Sequence, residues 1–223
     1  LIATRQATLP STFGASLPPE NLNSTNNRGF ELKLGTSGNL SDFTYDVSAN
    51  VSWSRAKWDY FEEPIYEDPE QIRIYTKTGQ WKDRAFGYVS DGLFISQEEI
   101  NALPYDQDGQ GNVTLRPGDV RYKDMNDDGK IDWMDQQEIG NGNTPHWMYG
   151  FNFNLSYKNF DLSGLFQGAA GYHTWVSMPA LSEQRYDNRW TEENNDPNKL
   201  IPRLGGSSMN GWTSDHWYKT VAY

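Results

Sequence analysis

The sequence contains no cysteine, which excludes a disulfide framework and thiol chemistry. No apolar run approaches the roughly 18 residues of a membrane-spanning helix, and no signal-peptide pattern stands at its start. Aliphatic bulk is scarce, with 36% hydrophobic residues and a mean hydropathy of -0.82. Basic residues are outnumbered 19 to 30, leaving a net charge of -11, so a nucleic-acid partner is not expected. Neither Gly-x-Ser-x-Gly nor His-Glu-x-x-His occurs, and no other nucleophile motif replaces them. The acidic pairs Glu62-Glu63 and Glu98-Glu99 are adjacent in sequence, which says nothing of the spatial separation that glycoside hydrolysis needs. The three histidines, His146, His173 and His216, are scattered and read as surface or interfacial residues. No catalytic residue is expected.

What the chain does have is aromatics, 14% of its 223 residues, including nine Trp and thirteen Tyr. A disordered chain would be poor in them. Many aromatics, much Asn, Ser, Thr and Gly, and little Leu, Ile or Val suit a β-rich protein with wet surfaces. Residues 1–27, rich in Pro, Ser, Thr and Asn, read as a loop. From Arg28 the period becomes 2. Phe30, Leu32 and Leu34 alternate with Glu31 and Lys33. Thr36-Ser-Gly-Asn39 reads as a turn. Phe43, Tyr45, Val47, Ala49, Val51 and Trp53 then alternate with polar residues, completing an antiparallel hairpin. A second alternation runs through Trp147, Tyr149, Phe151, Phe153, Leu155 and Tyr157, turns at Lys158-Asn159, and returns through Phe160, Leu162, Gly164 and Phe166. A further strand opens at His216.

Two long segments interrupt these strands, residues 56–146 and about 168–214. They are far longer than ordinary hairpin connections and are functional by expectation. Within the first, Ser96-Gln-Glu-Glu99 resembles a capping box opening a short helix. Its aromatics, Trp58, Trp81 and Tyr88, with Trp175, Trp190 and Trp212 of the second segment, are candidates for stacking on a ligand or a covering partner. The short turns lie at one end of the strands and the long segments at the other, as in bacterial outer-membrane barrels. A soluble sandwich would show the same alternation, with its apolar residues packed against a second sheet. In that alternative the chain is a secreted, calcium-stabilised, β-rich carbohydrate-binding module. The surroundings of Phe43, Tyr45, Val47, Val51 and Trp53 separate the two.

The acidity is local: eleven acidic and four basic residues fall between Asp91 and Asp135. At its end the spacing Asp124, Asn126, Asp128, Gly129, Lys130, Asp132, Asp135 matches positions 1, 3, 5, 6, 7, 9 and 12 of a calcium loop. Side-chain oxygens come from Asp124, Asn126, Asp128, Asp132 and Asp135, and a backbone carbonyl from Lys130. Glycine at position 6 permits the sharp turn. Asp135 is shorter than the usual closing Glu. The expected cofactor is a structural calcium ion.

Several stretches together resemble one family. They are Asn26-Asn-Arg-Gly-Phe-Glu-Leu32, Gly118-Asp-Val-Arg-Tyr-Lys-Asp-Met-Asn-Asp-Asp-Gly-Lys-Ile-Asp132, Ile139-Gly-Asn-Gly-Asn-Thr-Pro145, and Tyr149 to Ser163 with Phe166-Gln-Gly168. In order, they resemble the C-terminal region of a SusC/RagA family TonB-dependent outer-membrane transporter. The resemblance implies an all-β fold, here an antiparallel segment of a 22-stranded transmembrane β-barrel. Its extracellular loops would be about 1–27, 56–146 and 168–214. It also implies nutrient import with a SusD-like lipoprotein as lid, glycan fragments or peptides as substrate, and a TonB complex acting through parts this chain lacks. About five strands cannot close such a barrel. With the abrupt opening Leu1-Ile-Ala-Thr-Arg5 and the ending Thr220-Val-Ala-Tyr223, the chain is expected to be a piece of something larger.

Overall fold

The computed structural model describes residues 2–4, 19–176 and 183–222. In chain order the strands are β1 Ile2–Thr4, β2 Pro19–Asn21, β3 Ser24–Leu40, β4 Phe43–Tyr60, β5 Ala85–Gly87, β6 Ser90–Leu93, β7 Val120–Tyr122, β8 Gln137–Gly140, β9 Trp147–Tyr157, β10 Phe160–Trp175 and β11 Tyr218–Ala222. Short helices are α1 Pro69–Tyr75, α2 Gln97–Asn101 and α3 Glu183–Asp187. Among the described residues no helix is long and apolar enough to cross a membrane. The chain divides into two units: residues to Asp83 with Thr144–Gly171, and Arg84–Asn143 with Tyr172–Val221.

The first unit is built on long strands. The large sheet has the order β11-β10-β9-β4-β3, in which β10, β9, β4 and β3 each run antiparallel to the next. Register converts the sequence alternation into two faces. Phe30 lies opposite Trp53, which lies opposite Trp147; Leu32, Val51 and Tyr149 form the next row, and Leu34, Ala49, Phe151 and Phe166 the one after. Toward the turns follow Val47 and Phe153, then Tyr45, Leu155 and Leu162, then Phe43, Tyr157 and Phe160. The opposite face carries Glu31, Lys33, Asp46, Ser48, Asn50, Asn152, Asn154, Asp161 and Gln167, with Leu165 and Met148 as apolar exceptions.

No residue of these four strands is buried. Leu34 is 64% exposed, Phe166 66% and Phe160 80%. A sandwich buries one face of each sheet; here none of Phe43, Tyr45, Val47, Val51 and Trp53 is more than half-buried, and among the described residues the ring contacts of this face are with its own aromatics, apart from Trp81 of the following loop, edge-on to Trp53. Aromatic rows bound this face at both ends, ten residues apart along β4. At about 3.4 Å per residue and a tilt of about 40°, that separation is about 26 Å, the height of the apolar band of a membrane barrel.

The turns differ from the sequence reading at one point. β3 runs straight through Thr36–Asn39, and the chain reverses at Ser41-Asp42, with Ser41 at φ 55°. Gly38 is there for packing rather than turning: Tyr45 sits directly opposite, and a Cβ on Gly38 would lie 2.7 Å from its hydroxyl and 3.0 Å from its ring edge. Phe153 covers Gly164 in the same way. An aromatic ring laid over a strand glycine shields the backbone it exposes. The second turn is at Lys158-Asn159 as expected, with Lys158 at φ 53°.

The loop boundaries also move. β3 begins at Ser24, β4 continues to Tyr60 and β10 to Trp175, so strand pairing outlasts the alternation. The expected first loop contains a β1–β2 pair, and its residues 5–18 lie outside the described residues, as do 177–182 of the third.

The second unit has an ordinary dry core. Leu93, Phe94, Ile100, Leu115, Val120, Tyr122, Ile131, Trp190 and Met209 pack together in it. Small two-stranded sheets, β5–β8 and β6–β7, frame it. α2 starts where the sequence places it, with the Ser96 hydroxyl accepting from Glu99 N–H at 3.2 Å.

Candidate functional site

The acidic loop lies in the second unit and is anchored on both sides. Lys123 N–H donates to the Val89 carbonyl, and Ile131 enters the core. Asp106 bridges the turn, donating its N–H to the Gly129 carbonyl (2.9 Å) and accepting from Ile131 N–H (3.0 Å). The turn follows the trace the spacing requires. Gly129, at φ 83°, donates its N–H to Asp124 Oδ2 at 2.8 Å, and Asp127 takes a left-handed φ of 57°. Asn126 Oδ1 accepts from Asp128 N–H at 3.2 Å, and Asp128 Oδ1 from Lys130 N–H at 3.1 Å. Asp135 is fully buried at the foot of the loop. Its two oxygens accept from Met125 N–H (2.8 Å) and Asp132 N–H (2.7 Å).

Three of the carboxylates feel one another. Burial raises the Asp135 pKa, its two backbone hydrogen bonds oppose the rise, and the charges of Asp124 and Asp128 add to it. Asp132 goes the other way. Burial works against its ionisation, but the Lys130 ammonium, 2.5 Å from Oδ2, and the Met134 N–H outweigh it. Lys130 also reaches to 3.7 Å from Asp128 Oδ2. One oxygen is left over: Asp124 Oδ1 is shielded from solvent and has no hydrogen-bond partner. Among the described residues no three Asp, Glu or His side chains converge as a preformed metal cage. The structure thus places Asp124, Asn126, Asp128, Lys130, Asp132 and Asp135 on one turn, with an ammonium held among the carboxylates. The donors are all oxygens, the chemistry a hard divalent cation selects. Asp124 Oδ1 and the repulsion at Asp135 are what such a cation would satisfy.

The candidate aromatics separate into five settings. Trp190 is buried against Gly118, its indole N–H bonded to Asn195 Oδ1 at 3.0 Å. It is a core residue of the loops. Trp58 packs edge-on against Phe61, and Trp81 edge-on against Trp53. Trp175 stacks near Trp217. Tyr88 and Trp212, far apart in sequence, stack at 4.6 Å and line a cleft of about 390 Å³ with Phe86, Gln136, Gly211 and Thr213.

Two histidines correct the sequence reading, being buried rather than superficial. His216 bonds the Leu200 carbonyl through Nε2 at 2.7 Å, and burial lowers its pKa. His146 meets Asp83, which also accepts from Arg55 Nε at 2.9 Å; these partners outweigh burial and hold the Asp83 carboxyl below its usual range. Desolvation by neighbouring loops buried them, and no local sequence signal announces that. Asp119 was missed altogether. Fully buried, it accepts from Arg203 Nε (2.9 Å), Asn210 Nδ2 (2.8 Å), Ser207 N–H (3.2 Å) and Arg116 N–H (2.9 Å). One carboxylate therefore ties residues 116–119 to 203–210.

An uncovered apolar sheet face, a polar opposite face and long loops gathered at one end define a stretch of membrane β-barrel wall. The solved structures agree. The chain superposes on the RagAB peptide importer in its open-open state with a TM-score of 0.63 at 16% identity, covering 100% of this chain and 23% of that one. It matches the RagAB peptide transporter with a TM-score of 0.61 at 17% identity, covering 97% and 23%. The fold is that of these barrels. No family model matches. Among curated proteins the chain is 29% identical over 220 residues to TonB-dependent receptor P26 of Formosa agariphila, covering 92% of this chain and 21% of the relative. It is 29% identical over 171 residues to TonB-dependent receptor P3 of the same organism, covering 73% and 17%. The chain therefore spans about a fifth of the length of the curated relatives it matches. The curated relatives bear out the resemblance to TonB-dependent transporters, and the solved structures bear out its fold.

Proposed function

We propose that this chain supplies part of the barrel wall and outward loops of a TonB-dependent importer in a bacterial outer membrane, without catalysis of its own. The observation that carries the reading is the apolar face from the Phe30–Trp53–Trp147 row to the Phe43–Tyr157–Phe160 row, none of which is buried among the described residues and whose span is about 26 Å. The receptor names of the relatives and the importer titles of the structural neighbours support it. The cargo is a nutrient, glycan fragments or peptides, captured under a SusD-like surface lipoprotein and released inward by TonB. The Tyr88–Trp212 cleft, with a stacking surface and polar neighbours, belongs to the loops that meet cargo or lid.

These 223 residues contribute no cysteine of their own, and any cysteine elsewhere in the full-length protein is replaced before labelling. Phe166→Cys and Gln167→Cys in the full-length protein, each carrying a fluorophore, should differ in a bilayer doped with a lipid-soluble quencher. Quenching at 166 and not at 167 is expected; equal protection of both would overturn the barrel wall. Import itself should vanish in cells lacking TonB function, and uptake unaffected by that loss would reject the importer.

Calcium belongs to this reading as a brace. Asp124, Asn126, Asp128, the Lys130 carbonyl, Asp132 and Asp135 would hold the ion, which would neutralise their mutual repulsion and stiffen the loop. The side chain of Lys130 would leave Asp132 as the ion enters. Asp124→Ala with Asp128→Ala should lower calcium retention and loop order. Wild-type protein that retains no calcium, with the loop equally ordered in both, would remove the brace.

A further inference from the structure

We propose that the loop-side rim of the first unit binds the phosphorylated headgroup of an outer-leaflet lipid through Arg28 and Lys57, with Trp81 against Lys57. The proposal rests on the barrel-wall reading. The parity of β4 carries it: Phe43, Tyr45, Val47, Ala49, Val51 and Trp53 share one face, and Arg55 and Lys57 continue that face without a break. On β3 the same face runs Leu34, Leu32, Phe30 and then Arg28, which lies directly opposite Arg55. Two strands thus leave the apolar band through an aromatic row, Phe30–Trp53–Trp147, and pass at once into cations on the lipid-facing side.

Like charges directly opposite one another across strands repel, so this pair requires compensation. Asp83 supplies it for Arg55, at 2.9 Å, and is already engaged with His146. Neither Arg28 nor Lys57 has a carboxylate within ion-pair distance among the described residues. Asp59, on the bulge beyond the rim, pairs with neither. Trp81 bridges to Lys57 through the backbone, with the Arg55 guanidinium 4.8 Å and the Lys57 ammonium 5.9 Å from its ring. The ring thus keeps the Lys57 ammonium beside Arg55. At the turn end, the Phe43–Tyr157–Phe160 row is followed by Asp42 and Lys158, one charge of each sign. Among the described residues, two neighbouring cations without a carboxylate therefore meet on this face at its loop end, whereas the turn end carries one charge of each sign, in a chain of net charge -11.

A phosphate group matches this arrangement. A guanidinium forks onto two phosphate oxygens and an ammonium meets a third, and tryptophan settles at the headgroup level. A phosphate carried on acyl chains would lay those chains along Leu32, Leu34 and Val51, immediately below on the same face. A free anion gains nothing from that surface, so the occupant is a phosphorylated lipid.

Native mass spectrometry of the full-length protein, purified in detergent and offered bisphosphorylated lipid A, dephosphorylated lipid A or inorganic phosphate, tests this. Wild-type protein should retain the phosphorylated lipid and discriminate against the dephosphorylated one. Arg28→Gln with Lys57→Gln should lose about thirtyfold in retention, each surface cation contributing about fivefold. Arg28→Lys with Lys57→Arg should keep most of it, and Lys33→Gln on the opposite face should change nothing. Equal retention of both lipids by wild-type protein would overturn the proposal without any variant. So would a folded glutamine variant that binds like wild type, or displacement of the lipid by an equal concentration of inorganic phosphate. Failure of wild-type protein to enter lipid vesicles would instead strike the barrel-wall reading beneath it.

Discussion

Phe94, Leu115 and Val120 of the second unit are fully buried, whereas Leu34 of the first is 64% exposed and no residue of the four long strands is buried at all. The two units spend their apolar residues against different solvents. In the loops, leucine, phenylalanine and tryptophan are covered by protein, each fully buried side chain contributing about 1.5–3 kcal/mol. In the strands the same residue types remain exposed or half-buried, and on the barrel-wall reading lipid would complete the burial. Backbone hydrogen bonding differs in parallel. The strands satisfy theirs through continuous ladders, as any membrane-spanning backbone must. The loops draw on side chains, above all Asp119, Asp106 and Asp108.

From that contrast, the largest effects belong to the loop core. Phe94→Ala should cost about 3–5 kcal/mol of local stability. Hydrogen exchange should rise across residues 84–143 while the barrel remains folded; coincident loss of both would merge what the structure separates. Asp119→Ala comes next. It strands the Arg203 guanidinium and the N–H groups of Arg116 and Ser207, for a cost of about 3 kcal/mol, the lower end for a broken buried pair because Arg203 reaches water. Protease sensitivity near 203–210 should report it. For the strands, Ala49→Arg at mid-height on the apolar face should destabilise the barrel by about 2–4 kcal/mol in lipid, and Asn50→Arg on the polar face by under about 1 kcal/mol. Similar costs for the two would mean that both faces see the same solvent.

The contrast also explains what the sequence reveals. Alternation is legible wherever two faces meet different media, so both hairpins can be read from Phe43–Trp53 and Trp147–Phe166. It fades at Ser54 because both faces are wet beyond the aromatic row, although pairing continues to Tyr60. The misplaced turn at Thr36–Asn39 has a similar cause: Gly38 serves a tyrosine ring across the strand, and glycine bears no mark of its purpose. In the loops, the turn from Asp124 is legible because a fixed spacing of oxygens is a local property. Asp119, His146 and Asp83 are not, because their partners lie up to 91 residues away. The Tyr88–Trp212 stack is likewise invisible until the chain is folded.

The smallest expected effect concerns the acidic loop, where two carboxylates of one unit respond to pH with opposite signs. Asp108 is half-buried. Burial is the largest single influence and opposes its ionisation, but the hydrogen bonds from Thr114, Gln110 and Asn112 together outweigh it and hold the pKa down at about 2. Its contribution is present above the ordinary carboxylate range and is lost as pH falls toward 2. Asp135 is raised, so its contribution is present at acid pH and is lost as pH rises through its folded value. His216, lowered by burial, destabilises the unit as pH falls below the ordinary histidine range. Comparing wild type with Asp135→Asn cancels the other two groups. The stability of wild type relative to Asp135→Asn should therefore improve as pH falls through the carboxylate range in a calcium-free buffer. Calcium added at neutral pH should produce the same improvement without acid, since a bound cation and a proton relieve the same repulsion. Loop unfolding followed by hydrogen exchange at several pH values measures both. A pH-independent difference would show that Asp124 and Asp128 do not act on Asp135. A pH-dependent difference that calcium leaves untouched would keep the electrostatics and discard the ion.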